Sequence, residues 1–81
     1  MMTLDVLLFA SYADAAGSGT VRVTVADGAT VGAVVEGVRA MLPTLQLPVR
    51  PLVAVNQRYA ASAQVVHAGD EVAFIPPVSG G

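Results

Sequence analysis

"TVRVTVADGATVGAVVEGVRAML", residues 20–42, changes its hydrophobic period halfway along. Residues 20–25 alternate, with Val21, Val23 and Val25 on one side and Thr20, Arg22 and Thr24 on the other. That period of two predicts a half-buried strand. Asp27 and Gly28 break the pattern as a turn. From Val31 the apolar residues recur at Val34, Val35, Val38 and Leu42, a single stripe that predicts a helix over 31–42. Thr30 is its N-cap candidate and Pro43 ends it. Gly32, Gly37 and four valines are poor helix formers, so this helix must be held by packing against something else.

The flanking segments supply that something. Residues 4–10, "LDVLLFA", read as a strand with Leu4, Val6, Leu8 and Ala10 on one face and Asp5, Leu7 and Phe9 on the other. A turn or short loop around Gly17 and Gly19 would join it to 20–25 as a hairpin. Beyond the helix, "PTLQLPVRP" at 43–51 predicts an extended crossover, and "LVAVN" at 52–56 a short strand. Residues 57–66 read as a connection with a short strand near Tyr59, and 68–70 as a turn. "EVAFI" at 71–75 is the last strand, with Val72 and Phe74 on one face and Glu71, Ala73 and Ile75 on the other. One helix covers one sheet face, which gives a two-layer α+β domain. With the last strand beside the first in a mixed sheet, the expected fold is the β-grasp, a single domain over 1–81 with a flexible tail at 76–81.

Composition narrows the function. Charged residues are 12% and apolar residues 54%, more apolar surface than 81 residues can hide, so part of it should face a partner. Net charge is −2, and all four basic residues are arginines. That balance argues against nucleic acid, which needs a basic face. The absence of cysteine excludes thiolate metal sites and a cysteine nucleophile, and suits a cytoplasmic domain. The first residues lack the pattern of a signal peptide, and no apolar run is long enough for a membrane helix.

No conventional catalytic set is visible. His67 is the only histidine and reads as a solvated loop residue. Asp70 and Glu71 are adjacent and would point opposite ways on a strand. Gly17 and Gly19 lack the lysine and helix start of a phosphate loop. Strand parity does place Phe9 and Ile75 on the side away from the helix, at the ends of two expected neighbours, where they would form an apolar docking patch. Beside them the chain closes as "PPVSGG", residues 76–81. Pro76 and Pro77 end the sheet and stiffen the exit. Val78, Ser79, Gly80 and Gly81 make a thin, uncharged end that could thread a channel and present one carboxylate.

"GDEVAFIPPVSGG" at 69–81, "VAVNQ" at 53–57 and "LLFASYADAAG" at 7–17 resemble the small subunit of molybdopterin synthase, in the ubiquitin-like sulfur-carrier family that includes the thiamine sulfur carrier. The resemblance implies that an ATP-dependent, E1-like adenylyltransferase activates the carboxylate of Gly81. A sulfur donor enzyme would then convert it to a thiocarboxylate. The tail, with Gly80 and Gly81 at its tip, would enter the large synthase subunit and pass sulfur to cyclic pyranopterin monophosphate, building the dithiolene of the molybdenum cofactor. It implies a heterotetramer of two small and two large subunits. The chain would bind no cofactor or metal itself, and the ATP would belong to the activating enzyme. By motif, partner binding would fall to Phe9, Tyr59 and Ile75 on the sheet and Pro76, Pro77, Val78 and Ser79 on the tail. The alternatives are a carrier for thiamine thiazole or another thiocarboxylate pathway, and a non-catalytic ubiquitin-like binding module.

Overall fold

The computed structural model of the protein describes residues 1–77. The strands are β1 (Met2–Leu8), β2 (Thr20–Val25), β3 (Leu52–Val55), β4 (Arg58–Tyr59) and β5 (Val72–Ile75). They form one sheet in the order β2-β1-β5-β3-β4. The sheet is mixed. β1 pairs with β5 in parallel, and every other pair is antiparallel. One face carries α2 (Val31–Met41); the other is open. This is the β-grasp fold expected from the order of elements.

Helix α2 forms as the stripe predicts. Val31, Val34, Val35 and Val38 are buried, and Thr30 caps the helix by accepting from Ala33 N–H at 3.3 Å. The other early amides are satisfied by the segment before β5. Val31 N–H donates to Gln64 C=O at 2.8 Å and Gly32 N–H to Ser62 C=O at 2.9 Å. Those donors have no partner inside the helix, so the segment completes it. Gly37 faces β2. A Cβ built there would lie 2.9 Å from Val23 Cγ2, too close for two carbons. The glycine that weakens the helix is what lets it approach the sheet.

Two local expectations are corrected, and the short strand expected near Tyr59 is present as β4. β1 ends at Leu8, and Ala10 opens a seven-residue helix, α1 (Ala10–Ala16), where a loop was expected. Gly17, at φ +72°, caps it in the left-handed region. α1 carries Tyr12 into the core, 4% exposed, with its hydroxyl unpaired among the described residues. Burial alone pushes that phenol upward in pKa. The crossover is not extended throughout. Pro43–Leu45 is a 3-10 turn that, with Leu47, sends two leucines into the core. Arg39 of α2 holds it there, donating to Leu47 C=O at 2.7 Å and Pro48 C=O at 2.9 Å. Finally, residues 55–58 form a hairpin whose two loop residues, Asn56 and Gln57, both have positive φ (52° and 70°). That is the geometry of a type I′ turn, reached without the usual glycine.

At the opposite pole from the tail, Asp70 locks the turn into β5. His67 N–H donates to its Oδ2 at 2.8 Å, and Asn56 Nδ2 donates to its Oδ1 at 3.1 Å. Asn56 Oδ1 in turn accepts from Glu71 N–H at 2.9 Å. The hydrogen bond from His67 N–H, then that from Asn56, hold the Asp70 carboxyl below the usual carboxylate range.

Two outcomes follow for stability. Gly37→Ala gains helix propensity of about 1 kcal/mol but drives a methyl into buried Val23, and overpacking costs about 1–3 kcal/mol. We expect a net loss, read as a lower urea midpoint with an unchanged slope. Asp70 has a lowered native pKa, so its contribution is complete above the ordinary carboxylate range and lost as pH falls through the native value. Asp70→Ala should be less stable than wild type at neutral pH, and the gap should close in acid. A gap of constant size across that range would show that the ionised carboxylate is not what stabilises the turn.

Candidate functional site

The open face of the sheet divides into two halves with different chemistry. Over β2 and the start of β1 it is polar. Asp5 and Arg22 are register partners and pair at 3.1 Å, and Thr3 and Thr24 meet at 3.3 Å. Both ion-pair partners are exposed, so the bridge adds little stability. Over the end of β1, β5, β3 and β4 the same face is apolar.

Register shows how the apolar half is built. Ala73 of β5 lies between Leu7 of β1 and Ala54 of β3, and Ala54 faces Tyr59 of β4. Leu7, Ala73, Ala54 and Tyr59 therefore form one row across four strands. In the next row Ile75 faces Leu52. Phe9 follows β1 with its backbone still extended (φ −123°, ψ 156°), so it continues the alternation beside Ile75. The small residues Ala54 and Ala73 form the floor of a shallow apolar depression. Around it stand Phe9 (47% exposed), Leu52 (51%), Tyr59 (75%) and a half-buried Ile75. Ala10, which turns the chain from Phe9 into α1, sits at φ +46°, an uncommon conformation for a residue with a side chain.

The structure thus brings together Phe9, Tyr59 and Ile75 on one face. Pro76, half-buried, and Pro77, exposed, follow directly from β5 at the Phe9–Ile75–Leu52 end. Val78, Ser79, Gly80 and Gly81 lie outside the described residues. Leu52, Ala54 and Ala73 complete the face and were not singled out from the sequence as docking residues. The signal was present in "LVAV", where Leu52 and Ala54 have the parity opposite to buried Val53 and Val55. His67 stands apart on its loop, with its side chain 76% exposed. Among the described residues there is no group of three or more metal-ligating side chains, and no helix is long and apolar enough to cross a membrane.

This apolar sheet face, which ends where Pro76 and Pro77 leave β5, is a shallow exposed surface and not an enclosed pocket. The family model that matches this sequence runs from residue 6 to residue 81, through the tail. The chain belongs to the ThiS family. It is 41% identical over 83 residues to small archaeal modifier protein 1 of Haloferax volcanii, covering 91% of this chain and 95% of that one. A crystal structure of that modifier matches at a TM-score of 0.86 and 39% identity, covering 98% of this chain and 99% of the other. A putative molybdopterin converting factor subunit 1 from Pyrococcus furiosus matches at 0.84, with 23% identity over 96% of this chain and 100% of that one. The complex of subunits 1 and 2 of the molybdopterin-converting factor from Helicobacter pylori matches at 0.62, with 20% identity over 99% and 100%. The last two are likenesses of fold. ThiS-family membership makes this chain a ubiquitin-like sulfur-carrier or modifier domain.

The apolar face makes a stability expectation that separates it from the core. Phe9→Ala, Leu52→Ala and Tyr59→Ala should each change unfolding free energy by about 1 kcal/mol or less, because about half or more of each residue is already in water. Phe74→Ala, on the same sheet but fully buried, should cost about 3–5 kcal/mol. Denaturant unfolding of the four variants measures the contrast. A large loss at Phe9 or Tyr59 would make the face a second core rather than a docking surface.

Proposed function

We propose that this chain is the sulfur-carrier subunit of a molybdopterin synthase. The carboxylate of Gly81 attacks ATP on an E1-like adenylyltransferase, forming the acyl-adenylate and releasing pyrophosphate. A sulfur donor enzyme then delivers sulfur to the acyl carbon, AMP leaves, and a thiocarboxylate results. Adenylation is required because a carboxylate is a poor electrophile with no leaving group. The large synthase subunit docks on the apolar face around Phe9, Tyr59 and Ile75. Its channel receives Pro76, Pro77, Val78, Ser79, Gly80 and Gly81, and sulfur passes to cyclic pyranopterin monophosphate. A heterotetramer with two small and two large subunits needs only one such face on each small chain. The observation that carries the reading is a family match that extends to Gly81, next to an apolar stripe that ends where the tail leaves the sheet.

A second reading is favoured by the 41% identity to an archaeal modifier. In that case the activated acyl group of Gly81 is transferred to an amine on a target protein, and AMP is released. All four basic side chains of this domain are arginines, so a conjugate could not be extended through a lysine of the carrier.

The two readings share the first product and part at the second. Incubation with ATP, an E1-like enzyme and a sulfur donor should give a chain heavier by the difference between sulfur and oxygen, with fragmentation placing the change on Gly81. Sulfur found elsewhere, or no change where a known carrier is charged, would sink the sulfur-carrier reading. The charged chain should then support dithiolene formation by a large synthase subunit. Phe9→Ala and Ile75→Ala should weaken that binding by about 2 kcal/mol or more. Covalent adducts on target proteins with no dithiolene formed would select the modifier.

A further inference from the structure

The open face carries its charge unevenly. On the polar half Asp5 and Arg22 neutralise one another at 3.1 Å. Glu71 stands between that pair and the apolar half. The ladder puts it there. Asn56 N–H donates to Glu71 C=O at 2.8 Å, one step beyond the Val55–Val72 pair. Val6 faces Val72 in the parallel pair, so Asp5 runs alongside Glu71. Val72 is buried under α2, so alternation turns the Glu71 side chain to the open face, in line with Ala73 and Ile75.

Nothing among the described residues answers this carboxylate. Glu71 is exposed and makes no ion pair there. Asn56, its polar neighbour in the ladder, is already committed to Asp70 Oδ1 and to the Glu71 N–H. Arg22, the cation on this face, is held by Asp5. The other arginines lie elsewhere. Arg39 clamps the crossover and Arg50 lines a groove on the helix side. Arg58 is the register partner of buried Val55 and so shares its side of the sheet.

The position of Glu71 matters for docking. Two apolar rows separate it from the tail exit, Leu7, Ala73, Ala54 and Tyr59, then Phe9, Ile75 and Leu52. At about 3.3 Å per residue along a strand, Glu71 lies about 7 Å from the Ala73 row and about 13 Å from Ile75. Apolar contact is non-directional, so the rows alone do not say which way round a partner sits. One unbalanced charge at the pole opposite Pro76 does, because a partner docked the wrong way round leaves its own charge against apolar surface.

We propose that the protein docked on the open face carries a lysine or arginine opposite Glu71, which makes Glu71 the specificity-determining charge of this interface. The inference rests on the proposed reading that a large synthase subunit docks there. Binding of the full chain to the purified large subunit is measured at low and high salt for wild type, Glu71→Gln, Glu71→Lys, Glu36→Gln and Phe9→Ala. The Glu71 side chain is exposed and its bond to Asn56 Oδ1 uses the backbone, so the variants should keep the wild-type fold, checked by their unfolding midpoints. We expect Glu71→Gln to weaken binding about threefold to fivefold. Glu71→Lys should weaken it by more than about tenfold, mostly through slower association. High salt should shrink both differences. Glu36→Gln removes the same charge from α2, on the other side of the sheet, and should bind as wild type does. If both Glu71 variants bind as tightly as wild type while Phe9→Ala is weakened, the proposal falls and the docking reading stands. Equal weakening by Glu36→Gln and Glu71→Gln would overturn it too, by assigning the effect to net charge. Undiminished binding by Phe9→Ala removes the docking reading and this inference with it.

Discussion

β5 is four residues long and hydrogen-bonded on both edges, to β1 in parallel and to β3 in antiparallel. Both halves of the sheet depend on that pairing. Without β5, the β1–β2 hairpin and the β3–β4 hairpin would be separate ribbons, each too small to be stable alone. Its alternation divides the molecule. Val72 and Phe74, both fully buried, enter the core under α2, while Ala73 and Ile75 belong to the open face. A slip of one residue would exchange the two sets. The Asn56–Asp70 network guards against that slip at one end, and the prolines stop the ladder at the other.

The same strand couples fold to function. The chain's C-terminal segment leaves the sheet from its middle, not from an edge. Apolar side chains from β1 and β3 therefore flank the exit on both sides, which an edge strand would not allow. Whatever binds Phe9, Leu52 and Ile75 is placed next to Pro76 and Pro77. A carrier that presents its reactive group on a tail needs this arrangement, because the docking surface then sets the direction in which the tail is delivered. The domain's described titratable groups are nearly all exposed, and Asp70, the one carboxylate held below its usual range, serves the turn into β5.

Much of this was legible in the sequence. The switch of period across residues 20–42 located β2 and α2, and parity alone separated Phe9 and Ile75 from the core of their strands. What could not be read were features whose cause is non-local. "ASYADAA" has no stripe that marks a helix of seven residues, because so short a helix is held by Tyr12 packing into the core. Asn56 and Gln57 carry no glycine to announce a type I′ turn; the ladder from β3 to β4 imposes the positive φ on them.

The amino-acid sequence by itself determined the two periodicities and the breaks between them. Those are properties of neighbours along the chain, set by side-chain spacing and backbone restriction. Tertiary structure decided which apolar residues are buried and which are presented. Leu45, Leu47 and Val66 fall in segments with no periodic pattern, yet all three are core. Leu52 sits in an apolar run with Val53, yet half its surface faces water. The reason is coverage. α2 shields only one side of the sheet, and the Arg39 clamp on the crossover and the hydrogen bonds donated by the α2 amides of Val31 and Gly32 to the carbonyls of Gln64 and Ser62 settle what lies beneath it. Hydrophobicity is a property of a residue, whereas burial depends on what other parts of the chain are brought against it.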